Sequence, residues 1–557
     1  MRTGGQVLAD NLLRQGVDLA FCVPGESYLP VLDALYDRRE KLRLVVCRHE
    51  GGAAYMAEAY GKLTGRPGIA FVTRGPGASN AAIGIHTAAQ DSTPMIVFVG
   101  QIGGDVVDRE AFQEIDYRRM FGAVAKWAAQ IDRAERIPEY IAHAFRVASS
   151  GRPGPVVLAL PEDMLASSAD VADAKRVAIA PVHPSQAQMD EVAALLRRAR
   201  RPLVIVGGSG WSATACADLA RCAQTHALPV ACAFRNQDVF DNRDPHYAGD
   251  VGIGINPKLA ARTRDADVLI AIGERLGEMV TSGYTLVEAP TPRQALIHVH
   301  PGASELGRVY QPALAIEAGV APFCAALAAL APIDSAAWAG SAEAAHAQYL
   351  EWQAPRPMPG SLDLWQAVAT LRERLPEDAI LVNGAGNFAS WLARLYRYPR
   401  YRTQLAPYNG SMGYGVPAAV AAKAVHPDRT VISWNGDGCY LMNGQELATA
   451  VQYGLAIVFV VIDNGMYGTI RMHQERQYPE RVYGTTLANP DFAALARAYG
   501  ATGETVRRTD EFAPALDRAL GAGRAALLHL VVDPQAVTMN ATIDDLRRQS
   551  AARSPSS

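Results

Sequence analysis

A chain of 557 residues is too long for one hydrophobic core, so two to four domains are expected. Apolar residues make up 49%, charged residues 20%, and the net charge is −3, with no basic stripe interleaved with aromatics; this argues against a nucleic-acid binder. The seven cysteines (Cys22, Cys47, Cys216, Cys222, Cys232, Cys324 and Cys439) are scattered without a C-x-x-C pair. Neither a disulfide framework nor a structural zinc site is expected, and a reducing, cytoplasmic setting fits. The N-terminal MRTGGQVLADNLLRQG has no apolar signal core, and the longest apolar run, LAIVFVVI, is too short to span a bilayer.

Short β-branched runs recur along the chain between helix-like segments. In order they are IAFVT (69–73), MIVFVG (95–100), PVVLAL (155–160), PLVIVG (202–207), VLIAIG (268–273) and ALIHVH (295–300). AILVN (379–383), VISWNG (431–436), AIVFVVIDN (456–464) and LLHLVVD (527–533) complete the series. Continuous apolar strands separated by helices predict parallel sheets covered on both faces, hence an α/β fold. Two stretches read as connectors: 166–186, which mixes small, charged and proline residues, and 334–361, which ends in a proline cluster. The division that follows is 1–170, 185–335 and 360–540, with 541–557 as a polar tail in which RRQSAARSPSS (547–557) is expected to be disordered.

The strand 431–436 runs directly into Gly436-Asp437-Gly438. Asp-Gly is a common turn pair. The same glycines would also let the backbone approach a phosphate, with the aspartate holding a metal. Asn464 follows at the end of the next strand, after a helix-like 441–455. Strand, helix and strand form one βαβ unit, which places Asp437 and Asn464 side by side at the carboxyl edge of the sheet. A carboxylate, an amide oxygen and a backbone carbonyl are hard ligands suited to Mg²⁺, and amides near Gly438 and Cys439 could meet a phosphate at the helix start.

The spacing from Gly436-Asp437-Gly438 to Asn464 resembles the diphosphate-binding signature of thiamine-diphosphate-dependent enzymes, with Asp463 where that family often has an Asn. Three further blocks carry the resemblance. In 44–80, a strand ends at Arg48-His49-Glu50 and Gly75-Pro76-Gly77 shapes a second loop. YNGSMGYGVPAAVAAK (408–423) contains Ser411 and Met412, and NGAGNF (383–388) contains Gly386 and Asn387. The resemblance covers roughly residues 1–540. It implies three consecutive doubly wound domains with mainly parallel sheets: pyrimidine-binding, central dinucleotide-binding-like and diphosphate-binding.

The resemblance also implies a site. Glu50 would exchange a proton with N1′ of the aminopyrimidine, with a pKa raised by burial against the ring. Pro24, Gly25, Gly75 and Pro76 would line that half. Gly386, Asn387, Ser411, Met412, Gly436, Gly438, Cys439 and Tyr467 would contact the cofactor. Asp437, Asn464 and the Met466 carbonyl would hold Mg²⁺. Glu50 of one subunit would meet Asp437 and Asn464 of another, in a homodimer or homotetramer.

Within the family, DREAFQEID (108–116) resembles the acetolactate-synthase-like branch and puts Phe112 and Gln113 near the acceptor, with Lys126 following. VIVGGSGW (204–211) resembles the loop that in this branch helps hold FAD, so FAD is a second expected cofactor. Two features depart from the pattern. CVPGESY carries Glu26 and Ser27 where small residues are usual; Glu26 reads either as an acid/base group or as a cap of the following helix. LIHVHPGAS (296–304) replaces the usual strand end, and His473 stands near a position tied to acceptor choice. The leading expectation is a carboligase that decarboxylates a 2-oxo acid such as pyruvate and joins the product to a second carbonyl. The alternatives are a decarboxylase or C–C lyase/hydrolase and, from another class, a catalytically silent cofactor-binding subunit.

Overall fold

The computed structural model describes residues 1–553. Three six-stranded sheets follow one another along the chain, and every strand pair within them is parallel. Each of the ten apolar runs forms a strand in one of these sheets. The first sheet runs 43–46, 19–22, 68–72, 95–101, 155–161, 127–130 from edge to edge. The third runs 404–405, 380–383, 431–436, 458–463, 526–531, 502–506. Numbered by position in the chain, both sheets have the order 2-1-3-4-6-5. The middle sheet (247–251, 230–233, 202–206, 268–272, 295–300, 314–317) has the dinucleotide-fold order 3-2-1-4-5-6.

This topology positions the site. In an open α/β sheet, crossovers on either side of a reversal in strand order leave a crevice at the carboxyl ends of the strands. In the first sheet the reversal lies between strands 19–22 and 68–72, which lead into Gly25 and Gly75. In the third it lies between 380–383 and 431–436, which lead into Gly386 and Asp437. The chain therefore carries two topologically equivalent crevices.

The first and third domains share one core. Helix Glu50–Thr64 is buried on nearly every face and packs against helix Gly415–Val425, itself buried from Gly415 to Ala422. Small residues also let helix Gly75–Asp91 approach helix Glu50–Thr64 closely: a Cβ on Gly84 would lie 2.4 Å from that of Ala54. His49 caps the helix by accepting from the Gly51 amide at 3.0 Å, and Gly65, at φ +73°, ends it in the left-handed conformation.

Three segments differ from expectation. Residues 170–185 lack regular structure, yet they are strapped to the first helix by Asn11 and Gln15, which bond Asp173, Ala174, Lys175 and Val177. The second connector holds helix Ser341–Trp352, whose Tyr349 packs edge-on against Tyr247 at 4.8 Å. The C-terminal tail is helical over Ile543–Arg553, not disordered. Ile543 and Leu546 are buried with Met466, Met472 and Val537, and Arg547 pairs with Glu475 at 2.9 Å. Burial opposes the Glu475 charge, but bonds from Arg547, the Glu480 amide and Arg471 hold it down at about 2. Residues 554–557 lie outside the described residues.

Candidate active site

At the carboxyl edge of the third sheet, a cavity of about 250 Å³ gathers most of the cofactor residues expected there. Gly386, Asn387 and Met412 line one side, and Gly436, Asp437, Gly438 and Cys439 form the loop beneath. Asn464, Met466 and Tyr467 complete it from the next strand end. The glycines are required by space. A Cβ on Gly436 would lie 2.6 Å from Phe388, and one on Gly438 would lie 2.5 Å from Tyr467. Gly386 adopts φ +150°, a conformation that side chains rarely allow. Backbone is thereby brought to the cavity wall, as phosphate binding by amides demands.

Asp437 begins a four-residue helical turn, Asp437–Tyr440, directly at the end of strand 431–436. Its Oδ1 accepts from the Gly438 amide at 2.8 Å, and its Oδ2 from Asn489 Nδ2 at 2.8 Å. Burial pushes Asp437 up to about 6, although these two bonds pull it back. With no positive side chain bonded to it, this buried carboxylate is an uncompensated charge suited to a cation. Asp437, Asn464 and Met466 line one cavity, and the Asn464 amide oxygen accepts from the Met466 amide at 3.3 Å. A carboxylate, an amide oxygen and a backbone carbonyl are the hard oxygen donors that fit a small divalent ion bound together with phosphate.

Asn489 and His529 were not found from sequence. Asn489 Nδ2 also donates to Asp463 at 2.8 Å, and His529 Nε2 lies 2.9 Å from the other Asp463 oxygen. Burial raises the Asp463 carboxyl, but these partners and the Gly465 amide hold it below the usual range. Asp463 thus turns toward His529 and supports the strand end. Only the polarity of two residues remote in sequence hinted at this network.

Two expected contacts are engaged within the protein. Ser411 Oγ lies 2.5 Å from the Tyr55 hydroxyl, which also donates to the Met412 carbonyl at 3.2 Å. The Asn387 side chain bonds Thr469 and the Val537 carbonyl, each within 3.0 Å. Both side chains fix the loops that carry them.

The second group gathers at the carboxyl edge of the first sheet. Glu50, half-buried at the start of its helix, accepts from Asn80 Nδ2 at 2.9 Å, and a Cβ on Gly77 would lie 3.2 Å from its Oε1. Gly25 abuts Thr73, and the Gly75 amide donates to the Gln113 carbonyl at 3.2 Å. Gln113 sits at φ +67° beside Phe112, which is exposed. Pro24 is exposed on its loop, whereas Gly75-Pro76-Gly77, expected as a loop, forms the first turn of helix Gly75–Asp91 with Pro76 exposed. Glu26 opens a short 3₁₀ turn, but its carboxylate reaches Arg74 at 3.7 Å instead of capping the helix that follows. Arg74 is buried and also pairs with Glu162 at 2.6 Å. Lys126 turns away, donating to the Val147 and Ser150 carbonyls at the end of helix Ile137–Ser149. None of this group lines the Asp437 cavity of the same chain.

A larger cleft of about 1030 Å³ adjoins that cavity through Ala385, Gly386, Asn387 and Thr469, and His473 and Arg476 line its outer wall. Gly208, Ser209 and Gly210 line a pocket of about 210 Å³ between the domains together with Gly273, Glu274 and Arg275 of the adjacent strand end, and this pocket meets the larger cleft at Arg235, Arg275 and Tyr408. His298 and His300 at the neighbouring strand end are buried. Each is bonded to backbone and held below its ordinary pKa by burial. Among the described residues no helix is long and apolar enough to cross a membrane.

Comparison with known proteins agrees with this geometry. Residues 2–120 match the N-terminal TPP binding domain of thiamine pyrophosphate enzymes, 189–327 the central domain, and 384–530 the C-terminal TPP binding domain. The chain is 31% identical over 532 residues to the acetolactate synthase isozyme 2 large subunit of Escherichia coli, covering 95% of each chain. It is 32% identical to the acetolactate synthase large subunit of Corynebacterium glutamicum, covering 93% of this chain and 84% of that one. It is 31% identical to a probable acetolactate synthase large subunit of Methanocaldococcus jannaschii, covering 95% and 92%. Three consecutive domains, two crevices of the same topology and these relatives together show that the chain belongs to the thiamine pyrophosphate-dependent enzymes, in their acetolactate-synthase-like branch.

Proposed function

We propose that this thiamine-diphosphate-dependent enzyme decarboxylates a 2-oxo acid, pyruvate or a close analogue, and joins the product to a second carbonyl compound, with Mg²⁺ as the metal. The observation that carries the reading is the pairing of the crevices, Glu50 at one and the Asp437 loop at the other. When bound, thiamine diphosphate supplies the electron sink that allows a 2-oxo acid to lose CO₂.

The protein's own groups do the rest. Asp437, Asn464 and the Met466 carbonyl hold the metal that anchors the diphosphate, while the Gly386 and Gly438 backbones make room for it. Met412 supports the cofactor at the cavity wall. Glu50 exchanges a proton with N1′, and Asn80 keeps its carboxylate aimed. Gln113 and Phe112 border the acceptor, with His473 on the approach. The active unit is a homodimer or homotetramer in which Glu50 of one subunit serves the Asp437 cavity of another. Support comes from the separation of the two groups within a single chain.

Glycine loop 207–210 supports FAD as a second cofactor, whereas the buried, backbone-bonded His298 and His300 depart from the usual strand end. Flavin absorbance in the purified protein decides between them. Free cysteines throughout the described residues support a cytoplasmic setting.

Glu26 favours a second reading, a decarboxylase or C–C lyase, because Arg74 holds an extra carboxylate on the 24–26 loop. Product analysis after reconstitution with thiamine diphosphate and Mg²⁺ separates the two. Pyruvate, alone or with a second carbonyl acceptor, gives acetolactate or another acyloin on the leading reading. Free aldehyde with CO₂ supports the alternative and makes Glu26 the proton donor to test.

A further inference from the structure

The strand that delivers Glu50, Arg43–Val46, lies at the edge of its sheet, so one row of its backbone groups has no strand partner. The third domain meets part of that row. The Tyr453 hydroxyl accepts from the Val46 amide at 2.8 Å, and Gln452 Oε1 accepts from Arg48 Nη2 at 2.5 Å. Glu446 meets the backbone just past the strand: its Oε1 accepts from both the Arg48 and His49 amides, each at 3.0 Å. Its Oε2 accepts from Thr449 at 2.6 Å, and the side chain is fully buried. A Cβ on Gly52 would lie 2.5 Å from Glu446 Oε1, so the small residues after Glu50 admit this carboxylate.

Glu446 lies nine residues after Asp437, at the start of the helix that follows the diphosphate loop. The two amides it binds immediately precede Glu50, and their direction fixes where that helix begins. A buried carboxylate reaching across a domain boundary to backbone N–H groups costs desolvation that packing alone would avoid. Its partners are all donors, which matches an ionised acceptor held in one geometry.

We propose that Glu446 is a positioning residue for the reaction: it fixes the backbone from which Glu50 reaches the cofactor and ties that backbone to the diphosphate loop of its own chain. The inference rests on the assignment of Glu50 above. Glu50 serves one site of the dimer and the Asp437 loop the other, so the Glu446 contact mechanically joins the two sites.

The test uses the full-length protein with thiamine diphosphate and Mg²⁺. Two quantities are read: exchange of the thiazolium C2 proton, and backbone amide deuterium uptake over 44–56 with and without cofactor. Glu446→Ala is expected to slow C2 exchange about ten- to a hundredfold, since a shift of about 1 Å at a reacting group costs that much. It is also expected to raise deuterium uptake over 44–56, with cofactor affinity nearly unchanged. Glu446→Gln keeps an oxygen for both amides and is expected to restore both readouts to within a few-fold. Glu446→Asp withdraws the acceptor and behaves like the alanine variant, which covers the case that Glu446→Ala does not fold. Tyr453→Phe and Gln452→Ala remove the other grips on this strand and should leave C2 exchange near normal. Normal exchange in Glu446→Ala or Glu446→Asp, or an equal loss in Tyr453→Phe, overturns the proposal while Glu50 keeps its role. Wild-type protein that fails to accelerate C2 exchange overturns the role of Glu50, and this inference with it.

Discussion

Asn489 donates one amide nitrogen to both Asp437 and Asp463, at 2.8 Å each. The bond holds the Asp437 carboxylate in place before any ion arrives, and His529 braces the far side of Asp463. On the proposed metal role of Asp437, a residue that holds a metal ligand in place tunes metal affinity by about ten- to a hundredfold. Asn489→Ala is therefore expected to weaken Mg²⁺-dependent cofactor retention by that factor, and Asp437→Ala by more. Titrating thiamine diphosphate at several Mg²⁺ concentrations checks both. Unchanged affinity in Asp437→Ala rules out its metal role.

Glu50→Gln keeps size and hydrogen-bonding capacity but cannot exchange a proton with N1′. Positioned acid/base groups contribute about 10²- to 10⁴-fold. The variant should bind cofactor within a few-fold of wild type and slow C2 proton exchange by at least about 10²-fold. Near-normal exchange removes Glu50 from the mechanism.

Lys62 lies between Glu58 and Asp91, 3.0 and 2.5 Å away, where the first and third domains meet. Burial lowers its tendency to hold a proton, but the two carboxylates more than reverse this. Lys62→Met leaves both carboxylates in the interior without a counter-charge and is expected to cost about 3–5 kcal/mol. Denaturant midpoints measure it. The double variant Glu58→Gln/Lys62→Met should be less destabilised than Lys62→Met alone, since one of the stranded charges is gone.

The sheets were legible because their central strands are buried on both faces and read as unbroken apolar runs. Edge strands such as Trp127–Gln130 and Thr502–Val506 were not, because they are only half-buried. The interior strands Leu19–Cys22 and Val230–Ala233 were not either, because four residues rich in Ala and Cys do not stand out as an apolar run. The C-terminal helix hid for a related reason: Ile543 and Leu546 are its only buried apolar anchors, set among charges that suggest a tail. At the site, the glycine loops and the acidic residue between them carry their meaning locally. Glu446 and Asn489 act across domain boundaries or between distant loops, so a polar residue at those positions looks like any surface residue until the chain is folded. Lys126 shows the converse: a lysine in a suggestive place is spent on the carbonyls at a helix end.

His300 gives the protein a pH-dependent stability whose sign follows from its surroundings. Burial, set against the Gly302 backbone contact, lowers its folded-state pKa to about 4, below the ordinary value of about 6.5. Between those values the unfolded chain binds a proton that the folded one does not. Its contribution is therefore complete above about 6.5 and is lost as the pH falls toward about 4, by up to about 3 kcal/mol. Asp238 and Asp250, pushed up to about 6 by burial, act in the opposite direction over part of this window. The comparison must therefore be His300→Asn against wild type, the asparagine oxygen still accepting from the Gly302 amide. Denaturation between pH 7 and 4 should show the variant losing less stability than wild type on acidification. Parallel curves for the two proteins mean that His300 titrates as it would in water.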